Sequence, residues 1–521
     1  MRAGADDRNR TYNLLITIQL LCQIELRRRV HILSNRSIMI NNSPFNFKKY
    51  SPRLVIHFLR RIISNGKKCM QVHQHRFIKV FWPLLIEIFL TVLVSLSDTL
   101  MLYGVGQPAV AAVGSAITYL NFLNVAFLIL SAGLLAVFTQ YVGANQAEVT
   151  RKAAWIGVAV NSVLALGVMA IIFIFFSSFI HFIIPDQAIA DLATQYGLIV
   201  GGASLFIAIN PIIGNYMRAF GHDKSPMVAT VIANIINITL NYLSIFVFDW
   251  GVAGVAWATF ISHVGSFIAH IVLANFHLPK NIEKAHVSGR KLLADSLEVG
   301  LPAAFENFAF LGAMAVIITL LNFIDPSGVE TSVRVTVEHI AKMAFVPAAA
   351  LAHASAIKTG FYVGAQNFKK AQRRIFKIST IGIAISATLG LIIALFPDGI
   401  ISIFTSVEGI EGHDLEHHVD LIKTVLWLNI AVEGARTLNI ILGESLKTTG
   451  DAWFLGTISL FSLMFFAIGG SFLFAFTLNN GVVGIFIALT IDEAFKALVF
   501  FWRWSTRRWT TRSLILPIKY N

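Results

Sequence analysis

Cysteine and charged residues are both scarce in this chain of 521 residues. The 2 cysteines, Cys22 and Cys69, lie near the amino terminus, which excludes a disulfide framework in the rest of the chain. Charged residues make up 13% of the sequence, whereas a soluble domain carries about 25%. With 56% hydrophobic residues and a mean hydropathy of +0.70, the composition predicts a protein that crosses the membrane several times.

The basic excess of the chain is confined to its first part. The whole sequence has a net charge of +13, but residues 1–69 contain 14 Lys or Arg and 3 Asp or Glu, a net of +11. The other 452 residues are close to neutral, with 27 basic and 25 acidic residues, so the charge does not favour a nucleic-acid partner. We expect residues 1–69 to be a cytoplasmic extension that is disordered or lies upstream of a true start at Met70.

A nucleotide-binding loop is also missing from the sequence, which argues against transport driven by hydrolysis within this chain. The segment "EGHDLEHH" (411–418) has three histidines and three acids, for which metal binding is the alternative interpretation, but it lies in a predicted outside loop and suits a solvated acidic loop. We therefore predict no metal site and no cofactor other than a coupling ion.

Apolar segments long enough to cross a bilayer are abundant, and hydropathy predicts twelve transmembrane helices. Their approximate limits are 80–104, 114–141, 153–178, 192–217, 227–248, 252–275, 295–322, 333–357, 375–396, 421–443, 453–477 and 482–502.

The loops between these spans give the orientation. Five alternate loops, "NQAEVTRK", "RAFGHDK", "PKNIEKAHVSGRK", "NFKKAQRRIFK" and "LKTTGD", contain 2, 2, 4, 5 and 1 Lys or Arg, and the six loops between them contain none. Basic loops stay in the cytoplasm, so the sequence predicts a multi-pass protein of the inner, cytoplasmic membrane with both termini cytoplasmic.

Three segments recur in order in the two halves. "PLLIE" (83–87) returns as "PAAFE" (302–306), "YVGANQ" (141–146) as "YVGAQN" (362–367), and "GVAGVAWATFIS" (251–262) as "GVVGIFIALTID" (481–492). Each repeat has an even number of spans, which predicts an all-α membrane protein of two six-helix lobes related by a pseudo-two-fold axis along the membrane normal. The predicted parts are a first lobe (70–277), a cytoplasmic linker (278–292), a second lobe (293–505) and a cytoplasmic tail (506–521).

Asp98, in "VSLSDTLMLYGVG", lies within the first apolar span. A charge at the bilayer centre costs roughly 2.5–3.5 kcal/mol or more, so an acid there is a functional candidate. On the fifth span, Asn234, Asn237 and Asn241 share one helical face. Amide and carboxylate oxygens suit a hard cation such as Na⁺, although interhelical hydrogen bonding is the alternative role of these amides.

The second half offers its own polar candidates. Glu306 and Glu433 lie within the seventh and tenth spans, and Lys342 lies in the eighth. We predict a substrate or proton site in this lobe from these three residues. Lys342 either continues an ion-pair ladder with Arg334 and Glu338 or serves as the counter-charge of Glu306 or Glu433.

Five segments resemble a known family, the multidrug and toxic compound extrusion (MATE) transporters. They are "SDTLMLYGVGQPAVAAVGSA", "TQYVGANQ", "NYMRAFGHDKSPM", "NIINITLNYLSIF" and "GVAGVAWATFIS". The resemblance covers roughly residues 75–505. It implies two lobes around a central cleft and export of amphiphilic, usually cationic compounds in exchange for Na⁺ or H⁺. It also implies that Asp98, Asn237 and Asn241 bind the coupling cation with Thr259 and Asn210.

Two other functions stay open on the sequence alone. A flippase for lipid-linked saccharide precursors shares the architecture but would hold pyrophosphate with several cations in the cleft. A membrane-embedded enzyme would need a clustered nucleophile, base or metal, and the spans contain no such cluster. The predicted protein is thus not an enzyme but a multidrug antiporter, and we expect a monomer whose partners are small cationic substrates and the lipid bilayer.

Overall fold

The computed structural model describes residues 77–277, 285–325, 329–399, 401 and 413–515. The predicted extension 1–69 therefore lies outside the described residues, as do the first two residues of the "EGHDLEHH" segment, whose other six begin the helix His413–Thr449 instead of a loop. The described part is helical and contains no β-strand.

Helices of the first half are numbered α1 to α7 in chain order. They are Phe77–Tyr103, Gln107–Gly143, Ala147–Ile183, Gln187–Gly201, Ser204–Ala219, Lys224–Tyr242 and Gly251–His277. A π-helical turn, Leu243–Val247, extends α6.

Helices of the second half are numbered α8 to α13. They are Gly289–Ile324, Val329–Gly364, Phe368–Leu395, His413–Thr449, Ala452–Ser462 and Gly481–Ser505. The span that begins with α12 runs to Thr477 and includes two π-helical stretches. The fifth and eleventh spans thus both end in π-helical turns, as expected of a repeat.

All twelve predicted spans correspond to helices. Ten spans in the described part are long and apolar enough to cross a membrane, and the pair α4 and α5, bent by 47° at Gly202, forms an eleventh. The twelfth is α13, whose apolar character is interrupted by Asp492, Glu493 and Lys496. The prediction of an all-helical membrane protein is confirmed.

The hydrophobic core shows how the two lobes are joined. At the end of the basic loops a single core contains residues of both lobes, such as Phe138 of α2 and Phe361 of α9. At the opposite end there are two separate cores, one around Ala116 in the first lobe and one around Val337 in the second. The lobes therefore share buried apolar surface at one end and have separate cores at the other, the side predicted to be outside.

Glycines permit the close approach of the lobes at the joined end. A Cβ atom on Gly133 of α2 would lie 1.9 Å from the carbonyl oxygen of Ser296, and one on Gly300 of α8 would lie 1.6 Å from that of Ile129. Real Cβ atoms do not approach this closely, so the α2–α8 crossing requires glycine on both helices. Gln140 adds a polar link, since its Nε2 donates to the carbonyl oxygen of Thr448 at 2.7 Å.

Candidate functional site

Asp98 is the centre of a polar cluster in the first lobe. It lies on α1, partly exposed, and its Oδ1 accepts a hydrogen bond from Asn241 Nδ2 at 2.7 Å. The same nitrogen of Asn241 lies 3.2 Å from Oδ1 of Asn237, one turn earlier on α6. Both asparagines are buried, at 0% and 5% exposure, because their helical face packs on α1. The structure thus brings together three of the five residues predicted for the cation site.

Thr259 joins this cluster through a residue that the sequence analysis missed. Its hydroxyl donates to the carbonyl oxygen of Val255 at 3.0 Å, and it also hydrogen-bonds to the Tyr196 hydroxyl of α4. Tyr196 is buried and lies near enough to Asp98 for the two groups to interact electrostatically. An aromatic residue on an apolar span gave no signal in the sequence, since tyrosine is common in membrane helices.

Asn210 lies on α5 and contacts α7 about one turn beyond Thr259. Its Nδ2 is 3.4 Å from the carbonyl oxygen of His263, and its Oδ1 is buried without a donor. The Oδ1 atom of Asn241 is also buried and without a donor. A buried oxygen in this state favours a cation or a proton donor nearby.

Chemically, the first-lobe cluster can bind one positive charge. Asp98 supplies a carboxylate, while Asn237 and Asn241 supply amide oxygens, and hard cations prefer such oxygen ligands. Rotation of the Asn241 amide by half a turn would exchange its nitrogen for its oxygen beside Asp98. The alternative is protonation of Asp98 itself, which after the same rotation would donate a hydrogen bond to Asn241 Oδ1.

The second lobe contains a network of buried charges. Glu433 of α11 is fully buried and forms an ion pair with Arg436, one turn later. Arg436 Nε lies 3.5 Å from Glu493 Oε1 of α13, whose other oxygen accepts from Asn439 Nδ2 at 2.7 Å. The predicted candidate Glu433 is therefore tied to α13.

Three members of this network were missed by the sequence analysis. Lys496 Nζ lies 2.8 Å from Asp492 Oδ2 and 3.4 Å from Glu493 Oε1, and the Ser462 hydroxyl donates to Asp492 at 2.5 Å. The signal was present as "DEAFK" in the middle of the predicted span 482–502, because three charges in a membrane span are costly without a role or partners.

Glu306 of α8 has a partner that the sequence analysis did not name. Lys447 Nζ lies 3.0 Å from Glu306 Oε2 and 2.8 Å from Glu444 Oε1, and the Ser459 hydroxyl donates to Glu306 Oε1 at 2.9 Å. The counter-charges of Glu306 and Glu433 are thus Lys447 and Arg436, respectively.

Lys342 does not pair with either acid. Its side chain is exposed on α9, with Nζ 3.4 Å from His339 Nδ1. Of the ladder predicted on this helix, the pair of Arg334 and Glu338 is present, at 2.7 Å. A role of Lys342 in substrate binding stays a prediction.

The predicted absence of a metal site can be compared only with the described residues. Among those, no group of three or more His, Cys, Asp or Glu side chains could hold a metal ion.

Two six-helix halves, each with charged side chains inside its membrane spans, are typical of a membrane transporter. A family model, MatE, matches residues 83–243 and 302–473, one stretch in each half, and the chain belongs to this family of transporters, which are not enzymes.

Curated relatives agree with this assignment. The chain is 26% identical over 439 residues to the uncharacterized transporter YisQ of Bacillus subtilis, which covers 83% of this chain and 94% of the relative. It is 25% identical over 489 residues to a probable multidrug resistance protein, NorM, of Thermotoga maritima. This match covers 90% of this chain and 98% of the relative.

Solved structures share the fold. A crystal structure of MATE in complex with MaL6 gives a TM-score of 0.77 at 20% identity, covering 84% of this chain and 97% of the other. An outward-facing MATE transporter gives a TM-score of 0.75 at 20% identity, and the match covers 83% of this chain and 95% of the other. The two-lobe architecture of twelve spans is therefore that of known MATE transporters.

Proposed function

We propose that this multidrug efflux transporter is an antiporter that exports amphiphilic, usually cationic compounds across the cytoplasmic membrane in exchange for Na⁺ or H⁺. The observation that carries the proposal is the hydrogen bond of Asn241 to Asp98, because it places an acid and two amides together within the membrane spans. The name of the Thermotoga maritima relative supports the class of substrate.

In the proposed cycle, a cation from outside binds at Asp98 and changes the packing of α1 on α6. Substrate and cation compete for negative charge in the cleft, so binding of one favours release of the other. The membrane potential contributes about 2.3 kcal/mol per 100 mV for each net positive charge that enters, so it assists export only when more positive charge enters than leaves.

The second-lobe acids enter this proposal as a site for substrate or protons. Arg436, Lys447 and Lys496 each have a carboxylate partner. This pairing supports a drug exporter over a flippase, since a flippase needs cations that are available to pyrophosphate.

The same proposal includes three further features of the protein. Both termini are cytoplasmic, the protein is a monomer, and the extension 1–69 is dispensable.

The test is export from vesicles that contain the purified protein. A fluorescent cationic drug is loaded, and an inward gradient of either Na⁺ or H⁺ is imposed at zero membrane potential. We expect export with one gradient and none when that gradient is absent. Equal export with and without both gradients would contradict the proposed coupling, while leaving the family unaffected.

A further inference from the structure

A recess of about 550 Å³ at the start of α10 is lined by cations. Its walls are Asn367 and five basic side chains, Lys369, Lys370, Arg373, Arg374 and Lys377. At 100° per residue these five span about 140° of the helix, on the side opposite Ala371 and Ile375, which are buried. All five basic residues are exposed.

No acid of the described residues pairs with this surface. In the described part of the chain, none of its five basic side chains forms an ion pair with a carboxylate. The loop that contains it, "NFKKAQRRIFK", is also the one predicted cytoplasmic loop that has no Asp or Glu. A concentration of like charge on one surface produces a positive potential that attracts anions.

Orientation of the protein in the membrane does not require so many cations. The equivalent place in the first repeat, directly after "YVGANQ", has Arg151 and Lys152 together with Glu148, a net of +1 against +5. Two basic residues satisfy the rule for cytoplasmic loops there. The three additional cations and the missing acid of the second repeat call for another explanation.

The surface is held rigidly from behind. Gln372 is buried and donates through Nε2 to the carbonyl oxygen of Ser505 at 3.0 Å, and its Oε1 accepts from Arg507 Nε at 2.6 Å. The Phe368 ring packs edge-on against Trp509 at 5.8 Å. The chain segment after α13 therefore fixes the first turns of α10, so their cations face outward from a pre-formed wall.

Tyr362, the last aromatic residue of α9, organises two of the cations. Lys370 Nζ lies 5.3 Å from the centre of its ring, and Arg374 hydrogen-bonds to its hydroxyl. Tyr362 itself is buried in the shared core, so it positions these two cations from the protein side, and long basic side chains at the end of a membrane helix extend toward the level of the lipid headgroups. The recess thus lies where phosphate groups of a bilayer are found.

We propose that this recess is a binding site for the phosphate headgroup of an anionic phospholipid of the leaflet on that side of the membrane. Clusters of four to eight basic residues beside a membrane helix have the charge that such headgroups require. Guanidinium groups of Arg373 and Arg374 can each offer two donors to a phosphate, and the lysines add positive charge around it. Binding at this site would anchor α9, α10 and the segment after α13 to the lipid headgroups.

The test measures lipid retained by the purified full chain in detergent, by native mass spectrometry. Phosphatidylglycerol, cardiolipin and phosphatidylcholine are each titrated at about 0.1 M salt, and inorganic pyrophosphate serves as the soluble anion. Lys369→Gln/Arg373→Gln is compared with Arg151→Gln/Arg290→Gln, which removes two cations elsewhere on the same side. Lys377→Gln, on an exposed side chain, serves if the double variant does not fold.

We expect the anionic lipids to be retained in preference to phosphatidylcholine. The double variant should weaken their binding about 30-fold and Lys377→Gln about fivefold, while the control changes it less than about twofold. An equal loss in the control, equal retention of phosphatidylcholine, or binding of pyrophosphate as tight as that of the lipids would each overturn the proposal.

Discussion

Lys447 Nζ lies 3.0 Å from Glu306 Oε2, and this pair repeats one in the other lobe, where Arg218 Nη2 lies 2.6 Å from Glu87 Oε2. In each lobe a cation near the end of the fourth span holds an acid of the first span, four residues after a proline. The cation also has an acceptor three residues earlier on its own helix, Glu444 in one lobe and Asn215 in the other. The repeat is thus preserved in its ion pairs even where the residue types differ.

Replacement of Lys447 by Gln should destabilise the protein. Glu306 and Glu444 would lose their shared cation, and loss of a partly buried charged hydrogen bond costs about 1–3 kcal/mol. Lys342→Gln is the matched control, because this lysine is exposed and contacts only His339 among the described contacts; its effect should stay within about 0.5 kcal/mol. Thermal unfolding in detergent measures the stability loss of each variant. Equal losses in the two variants would indicate that Lys342 is a counter-charge after all.

Gly300→Ala should disturb the joined ends of the lobes. The new Cβ would lie 1.6 Å from the Ile129 carbonyl oxygen, so α2 and α8 must move apart. Spin labels at Arg151 of α3, which packs on α2, and at Arg290 of α8 should report a longer distance than in the parent protein, with a loss of about 1–3 kcal/mol in stability. Gly312→Ala on the same helix has open space around it and should change neither quantity. An unchanged label distance in Gly300→Ala would contradict the described crossing.

Asp223 should make stability depend on pH. It lies between α5 and α6, outside the membrane-spanning helices, and burial raises the pKa of its carboxyl group from 3.8 to about 6, although Arg218 and Lys358 act in the opposite direction. An acid whose pKa is raised by folding stabilises the fold while protonated, and this contribution is lost as the pH rises from about 4 to about 6.

Asp223→Asn should therefore melt at a higher temperature than the parent protein at about pH 7.5, by the equivalent of about 1–3 kcal/mol. The difference should disappear below about pH 3, where the carboxyl group is protonated in both the folded and the unfolded states. The exposed Asp249→Asn serves as the control. A lower melting temperature for Asp223→Asn at about pH 7.5 would show that its attraction to Arg218 and Lys358 outweighs the burial.

Much of the fold follows from the sequence, because membrane spans and repeats leave strong local signals. The pairing of Asn237 with Asn241 follows from helical spacing, and hydropathy located Asp98. The partners of Glu87 and Glu306 could not be found in this way. Arg218 and Lys447 were counted as loop residues, whereas α5 runs to Ala219 and α11 to Thr449. An error of a few residues in a helix boundary hid both ion pairs, which also join residues that are far apart in the chain.

Orientation in the membrane can be tested by thiol labelling after Cys22 and Cys69 are replaced by Ser. A cysteine at Gln187, in a predicted outside loop, should react with an impermeant reagent added to intact cells. One at Ala365, beside the most basic loop, should react only after the membrane is opened, because its charge keeps it inside. Both positions are exposed on the protein surface. The reverse pattern would invert the proposed direction of transport.

Gradient-driven export by Asp98→Asn tests the central claim most directly. Asparagine keeps the size of the side chain and can still accept a hydrogen bond from Asn241, but it cannot carry the charge that binds Na⁺ or take up a proton. Export from vesicles of the purified variant should fall to the level of protein-free vesicles, while Asp249→Asn, with an exposed acid, exports like the parent protein. Full gradient-driven export by Asp98→Asn, at equal protein content, would contradict the account.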